Sequence, residues 1–478
     1  FVVISVIVFL GTGLASAQNV SEHTRVVEAL NLLDLWLDAQ TAYQDLPGVS
    51  AAIIYDQELI WSSGYGLADV ENQIPATPET MYSICSISKL FTSVGVMQLR
   101  DEGKFRLDDD LDTILPWFDL EQNHPEGGTI TLEGILTHSS GLPRESDYPY
   151  WADPFEFPTH DQLVDRLSSQ ETLYPARKYF QYSNLGLSLA GEVVAEASGQ
   201  PFSRYMRANI LDPLGMTSTV SEIGTAWNTP NMAAGYGPKG RDGKRMLVQQ
   251  FEGNAIAPAM GFASTVKDLA KFASWQFELL ADGGNRILEA NTLREMHRVH
   301  WIDPDWETTW GLGFAVSRRG DKTFVRHDGS CPGFRTEFLL QTDDKIGTVV
   351  MINAGSTDPG LFARRAYELI APALKTAKNS TDQGEVMPGG LEAFLGVYDS
   401  FPWGGESVVI PWQGGIAAVR FPTSDPLNGL MKLKHIEGNR FRRIKDDDSL
   451  GEEIVFETDP DGKVLRVWRH STPSERIN

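Results

Sequence analysis

Residues 375–390 divide this sequence into two kinds of pattern, and that division constrains the fold more than any other feature. Lys, Asn, Ser, Thr, Asp, Gly and Pro crowd there with few apolar residues, which is linker composition. Beyond it, short apolar runs recur between turn residues at 394–398, 407–411, 416–421, 431–435, 440–444, 454–458 and 464–470. Regular short strands with little helix signal predict an all-β domain over 391–478, a small antiparallel barrel or a sandwich. At 478 residues the chain is too long for one ordinary core, so a separate larger domain precedes the linker.

That larger part, 24–374, mixes two periodicities. Val26, Val27, Leu30, Leu33, Leu37 and Ala42 recur at helical spacing over 24–44, and 49–55 with 59–65 read as a β-hairpin. Leu185, Leu189, Val193 and Ala197 repeat every four residues and stop at Gly199. Thr265 with Asp268 has the form of a capping box opening a helix through about 280. Strand-like runs at 312–317, 323–327, 337–341 and 346–352 then close an α+β domain of sheet flanked by helices.

Composition removes several functions. Asp plus Glu number 64 against 41 Lys plus Arg, a formal charge of −23, so a nucleic-acid partner is not expected. Residues 1–14 are almost uninterrupted apolar, and Ala15-Ser16-Ala17 has the small-x-small form of a signal-peptidase site. Residues 1–17 therefore read as a signal peptide lacking its basic start, and the mature chain is expected to be secreted or periplasmic, with no membrane span. The nine histidines contain no His-Glu-x-x-His pattern, the chain has only two cysteines, and no Gly-x-Ser-x-Gly elbow occurs. No metal or organic cofactor is implied.

The chemistry concentrates at Ser86-Ile87-Ser88-Lys89, which leads into an apolar, breaker-free run over 92–99. A helix starting near Ser83, a good cap residue, puts Ser86 in its first turn and Lys89 one turn later on the same face. A serine hydroxyl becomes a nucleophile when a base takes its proton, and a lysine is such a base once desolvation lowers its pKa. Tyr182 and Asn184 fall at a helix start. His327, Asp328, Gly329 and Ser330 stand between strand runs, where glycine lets backbone approach a ligand closely. His138 reads as a hydrogen-bonded loop anchor, and the aromatic, proline-rich segment 143–179 either walls a cleft or packs as a surface excursion.

Ser86-x-x-Lys89, Tyr182-x-Asn184 and His327-x-Gly329, in that order, resemble the three motifs of the serine β-lactamase and penicillin-binding-protein family. The likeness is greatest to its class C, D-alanyl-D-alanine carboxypeptidase and esterase-like branch, and covers roughly residues 29–374. The terminal part looks like the lipocalin-like barrels appended to some relatives. The resemblance implies a β-lactamase/transpeptidase-like fold with Ser86 as the acylated nucleophile. Lys89 and Tyr182 would share general-base and general-acid work, with the order between them open. Asn184 would orient the substrate amide and Lys89, and His327 would hold the Tyr182 phenol. The amides of Ser86 and Ser330 would form the oxyanion hole.

Asp328 departs from the family pattern, where a hydroxyl residue is common. Directed into the cleft it would oppose anionic substrates; directed away it would form a surface ion pair. Cys85 and Cys331 match motif-relative positions that form a disulfide in some carbapenem-hydrolysing class A β-lactamases, which implies a Cys85–Cys331 bond. The function expected is a serine hydrolase acting on a small ester, amide or peptide. A true β-lactamase and a non-catalytic penicillin-binding-like protein are the alternatives.

Overall fold

The structure, a computed structural model, describes residues 20–380 and 383–477; the expected signal segment 1–17 lies outside them. The chain opens with α1 (Thr24–Tyr43), β1 (Gly48–Tyr55), β2 (Glu58–Asp69), β3 (Ile74–Pro75) and β4 (Tyr82–Ser83), followed by α2 (Ser88–Asp101), α3 (Asn184–Ser198), β5 (Ala263–Ser264) and α4 (Val266–Asp282). Then come β6 (Trp301–Ile302), β7 (Thr309–Trp310), β8 (Ala315–Arg319), β9 (Lys322–Cys331), β10 (Phe334–Gln341), β11 (Ile346–Ile352) and α5 (Pro359–Asn379). Nine of these strands form an antiparallel sheet in the order β3-β2-β1-β11-β10-β9-β8-β7-β6.

The two faces of that sheet bury different cores because side chains alternate along a strand. On β1, Val49, Ala51 and Ile53 join the apolar faces of α1 and α5, while Ala52 and Ile54 join α2, α3 and α4. The hairpin and meander expected from the sequence supply this sheet, in a mixed helix-and-sheet fold. In α3, Ser183 caps the start by accepting the Gly186 N–H at 2.8 Å, and Gly199 ends the helix at φ 66°, a conformation that favours glycine.

Three local expectations change. Ser83 is not a helix cap: it lies in β4, which pairs with β5, and the chain enters α2 through a 3-10 turn over Cys85–Ile87. The Thr265–Asp268 capping box is half made. Thr265 accepts the Asp268 N–H at 3.1 Å, but the Asp268 carboxylate accepts from Ser218 N and Thr219 Oγ1 instead. Helix α5 runs to Asn379, into the stretch read as linker, because Leu374 and Ala377 continue its buried face.

After α5 the strands β12 (Gly396–Asp399), β13 (Glu406–Trp412), β14 (Gly415–Arg420), β15 (Leu430–Glu437), β16 (Arg440–Ile444), β17 (Leu450–Thr458), β18 (Val464–Arg469) and β19 (Thr472–Ile477) form a closed antiparallel barrel. The choice between barrel and sandwich is thus settled in favour of the barrel. Its inward residues, including Val409, Ile416, Phe441 and Phe456, make a core of their own. The outward faces of β13 and β14 pack on α1, so Val408, Ile410 and Val419 belong to the same apolar cluster as Trp36. The Trp36 indole and the Gln40 amide both donate to the Thr423 carbonyl, each at 2.8 Å. No helix among the described residues is long and apolar enough to cross a membrane.

Candidate active site

The turn before α2 is held from three sides. Ser88 Oγ donates to the Cys85 carbonyl at 2.6 Å and accepts the Phe262 N–H at 3.0 Å. A Cys85–Cys331 disulfide ties the turn to the end of β9, with Cα atoms 5.7 Å apart. Thr336 Oγ1 donates to the Ile84 carbonyl at 3.1 Å. Gly329 makes that approach possible, since a Cβ there would overlap both Thr336 Oγ1 and the Ile84 carbonyl oxygen. The Cys85 backbone sits at φ 48°, an uncommon conformation for a non-glycine residue.

Ser86 and Lys89 meet as their spacing predicts. Lys89 is 1 % exposed, and its Nζ donates to Ser86 Oγ at 3.1 Å, Asn184 Oδ1 at 2.7 Å and the Ala259 carbonyl at 2.8 Å. Burial pulls its pKa down from 10.5 to about 7, against the opposing pull of the Glu145 carboxylate. Three donated bonds use all three protons of the ammonium form. When one proton leaves, the two shorter bonds can retain the remaining N–H groups, and the lone pair then faces Ser86.

Tyr182 lies against this pair. Its ring centroid is 4.8 Å from Lys89 Nζ and 5.0 Å from the Arg144 guanidinium carbon. Burial raises the phenol pKa above its ordinary value, and a hydrogen bond with Ser86 partly opposes that shift. Against the ring, His138 packs tilted by 35° with centroids 4.3 Å apart, and Trp310 meets it edge to face at 6.1 Å. His138 is the loop anchor expected: its Nδ1 accepts the Ser183 N–H at 3.1 Å, and its carbonyl accepts the Gln181 N–H at 2.7 Å. Burial, then the nearby Lys89 charge, keeps that imidazole neutral.

The third segment is close but arranged differently from expectation. The motif lies inside a strand that continues to Cys331, not in a turn after it. No hydrogen bond joins His327 to the Tyr182 phenol, and their ring centroids are 6.3 Å apart. His327 Nδ1 is turned back to the Asp328 carbonyl at 2.6 Å, and since a carbonyl only accepts, Nδ1 carries the proton. Nε2 is then an acceptor, and it is buried with no partner among the described residues. Desolvation lowers this imidazole's pKa.

Asp328 and Ser330 share the exposed face of β9, opposite His327. The Asp328 carboxylate is 3.6 Å from Arg326 Nη1, the surface ion pair that was one of its two readings, yet the side chain stays 58 % exposed beside Ser330. Ser86, Asn184, Ser330 and Cys331 line one cleft of about 520 Å³. Trp151 and Phe155 line it too, which gives the aromatic segment its place, as do Gly237, Pro238 and Val248.

Sequence reading missed several residues here. Glu145 accepts from Asn184 Nδ2 at 2.8 and 3.1 Å, from the Tyr150 hydroxyl, and pairs with Arg144 at 3.2 Å. Arg335 lines the cleft and fastens the turn after β9 by donating to the Cys331 and Phe334 carbonyls. Trp310 and Arg144, both packed against Tyr182, were also unmarked. Only the turn signal of Gly141-Leu142-Pro143 pointed towards Arg144 and Glu145.

A sheet between two helical layers, with a serine and lysine at a helix mouth beside an edge of that sheet, is the β-lactamase/transpeptidase-like fold. The family model described as Beta-lactamase matches residues 33–372, and the chain belongs to that family. It is 28 % identical over 331 residues to "Beta-lactamase-like protein 2" of Dictyostelium discoideum, covering 67 % of this chain and 59 % of that relative. The chain thus spans about three fifths of that relative's length.

Among solved structures it is similar to the octameric penicillin-binding protein homologue from Pyrococcus abyssi, with a TM-score of 0.63 and 22 % identity, covering 93 % of this chain and 99 % of that one. It is also similar to the D-amino acid amidase from Ochrobactrum anthropi SV3, solved with L-phenylalanine amide. There the TM-score is 0.59 and the identity 26 %, covering 74 % of this chain and 99 % of that one.

Proposed function

We propose that the chain is a serine hydrolase that opens a small ester or amide through an acyl-enzyme on Ser86. The observation that carries this reading is the Lys89 amine, buried, 3.1 Å from Ser86 Oγ and with a pKa pulled down to about 7. A base with that pKa is available at neutral pH, whereas the raised pKa of Tyr182 keeps its phenol protonated. Lys89 is therefore the first base and Tyr182 the acid.

In acylation, Ser86 Oγ bonds to the substrate carbonyl carbon as its proton passes to Lys89. The C–O or C–N bond to the leaving group then breaks, and Tyr182 supplies the leaving group's proton and takes one back from the Lys89 ammonium, so the proton that left Ser86 is balanced by the one that departs with the leaving group. Water reverses the sequence to release the acid. The amides of Ser86 and Ser330 hold the oxyanion, where loss of one donor costs about 3 kcal/mol of barrier. Asn184, locked by Glu145, fixes Lys89 and the substrate amide. His327 offers Nε2 as an acceptor to the phenol or the leaving group. The amidase likeness, at 26 % identity, supports amides within the substrate range. Asp328 lies outside the Ser86 cleft and is paired with Arg326, so its exposed carboxylate disfavours anionic substrates only weakly, from the cleft's border. A chain exported through a signal peptide at 1–17 accords with the disulfide.

Burst kinetics with p-nitrophenyl butyrate, a D-alanyl p-nitroanilide and nitrocefin test the reading, together with the intact mass of the trapped adduct. A burst with either of the first two, and an acyl mass lost in Ser86→Ala, is the expected result. Turnover of nitrocefin alone makes the chain a true β-lactamase, and no burst or adduct with any of the three leaves a binding protein.

A further inference from the structure

The largest cavity among those described lies in the barrel, away from Ser86. It measures about 910 Å³ and is lined by residues from all eight barrel strands. Its floor is apolar: Tyr398, Val409, Ala418, Leu433, Ile454 and Phe456 line it and are all buried. An eight-stranded barrel has room inside for packed side chains or for one small ligand. Here the packed core fills one end and the cavity takes the other.

The charges at its mouth set the ligand. Alternation along the strands turns Arg420, Arg443 and Arg469 towards the cavity, one layer above the floor. Glu452 pairs with Arg469 at 2.7 Å and with Arg443 at 3.6 Å, and Arg420 has no ion pair among the described residues. Two cations therefore share one carboxylate and a third has none, in a chain whose formal charge is −23. An excess of guanidinium groups over an apolar floor is complementary to a molecule with an anionic head and an apolar tail. Beside the mouth, Phe401 and Trp403 are each 80 % exposed, and Trp403 lines the cavity. Such an apolar lip is where a ligand tail would first make contact.

We propose that the barrel is a second binding site, for a free single-chain anionic amphiphile of the alkyl-carboxylate class, with its head group on Arg420 and its tail against the Val409, Ala418 and Phe456 floor. The site is independent of the acyl-enzyme chemistry. No bond is made or broken in it.

Titration calorimetry of the full chain with monomeric dodecanoate tests this, with dodecyltrimethylammonium and dodecanol as controls and phosphatidylglycerol vesicles as a separate arm. Dodecanoate should bind one to one, about tenfold tighter than either control. Arg420→Glu should weaken it about tenfold, and Ala418→Trp, which fills the floor, should abolish it. Both variants should keep the p-nitrophenyl butyrate burst or its absence unchanged. Equal affinity for the cationic control overturns the proposal, as does binding to vesicles without one-to-one uptake of dodecanoate. Arg420→Glu, at the exposed mouth, leaves the packing intact, so undiminished dodecanoate binding in that variant overturns it even where Ala418→Trp does not fold.

Discussion

Glu145 holds the amide of Asn184 in one orientation: Nδ2 donates to both carboxylate oxygens, at 2.8 and 3.1 Å, which leaves Oδ1 facing Lys89. The same carboxylate raises the Lys89 pKa against the effect of burial. Glu145→Gln keeps an acceptor for Asn184 and removes the charge. The acid limb of the acylation rate should move to lower pH, and the plateau should fall about tenfold as Asn184 gains freedom. Stopped-flow acylation across pH reads both effects, and an acid limb that stays in place excludes the electrostatic link.

In the native chain the sign of the pH dependence follows from Lys89. Below about pH 7 its amine is protonated and has no lone pair for Ser86, so acylation should rise about tenfold per unit as pH climbs to 7, then level. The raised Tyr182 pKa puts no falling limb near neutrality. Unfolding returns Lys89 towards 10.5, so the unfolded chain binds more protons between about 7 and 10.5 and stability should rise with pH across that window. A burst rate that stays flat from about pH 5 to 9 would exclude Lys89 as the base.

The Cys85–Cys331 bond spans a sequence separation of 246 residues. Chain-entropy arithmetic for so long a loop gives about 5.5 kcal/mol as an upper value. The double replacement Cys85→Ala with Cys331→Ala should lower the denaturant midpoint, and it should also lower the acylation rate, because the turn carrying Ser86 loses its tie to β9. Free-thiol titration of the unfolded, unreduced protein should return no thiol.

Gly329→Ala should cost about 2–3 kcal/mol, since the added methyl must displace either Thr336 or the Ile84 backbone. Either shift disturbs the turn that carries Ser86, because Thr336 Oγ1 is itself bonded to the Ile84 carbonyl, so acylation should fall even at temperatures where the variant is fully folded. A variant with native acylation would show that the contact between β9 and this turn does not position the nucleophile.

Asp328→Asn should raise the rate on an anionic ester relative to its neutral counterpart by about threefold, a modest factor because the carboxylate is exposed and screened. Paired kcat/KM measurements on a succinyl and a butyryl p-nitrophenyl ester provide the comparison. No change in the ratio would place the Asp328 charge outside the substrate's reach.

Those parts of the site set by local spacing could be read from the sequence. Ser86 and Lys89 lie one helical turn apart, and Tyr182 with Asn184 flanks a capped helix start, so residue order fixes their relations. Glu145, Trp310 and Arg335 could not be found this way. Each reaches the site through tertiary packing: Glu145 from a loop, Trp310 from a two-residue strand, and Arg335 from the start of β10, just past the turn that follows β9. The seven β-runs read after the linker omitted β19, whose Thr-Pro-Ser-Glu-Arg-Ile shows almost no apolar residue. Its neighbours β12 and β18 define it by pairing, and the pairing closes the barrel.

Trp36 shows how little the two halves of the molecule are separable. Its ring meets Phe362 of α5 edge to face at 5.4 Å, and its indole N–H reaches across to Thr423 beyond the barrel strand β14. Heating should therefore melt both parts in one step, and trimming the chain after α5 would leave an oily scar on α1 where β13 and β14 had rested.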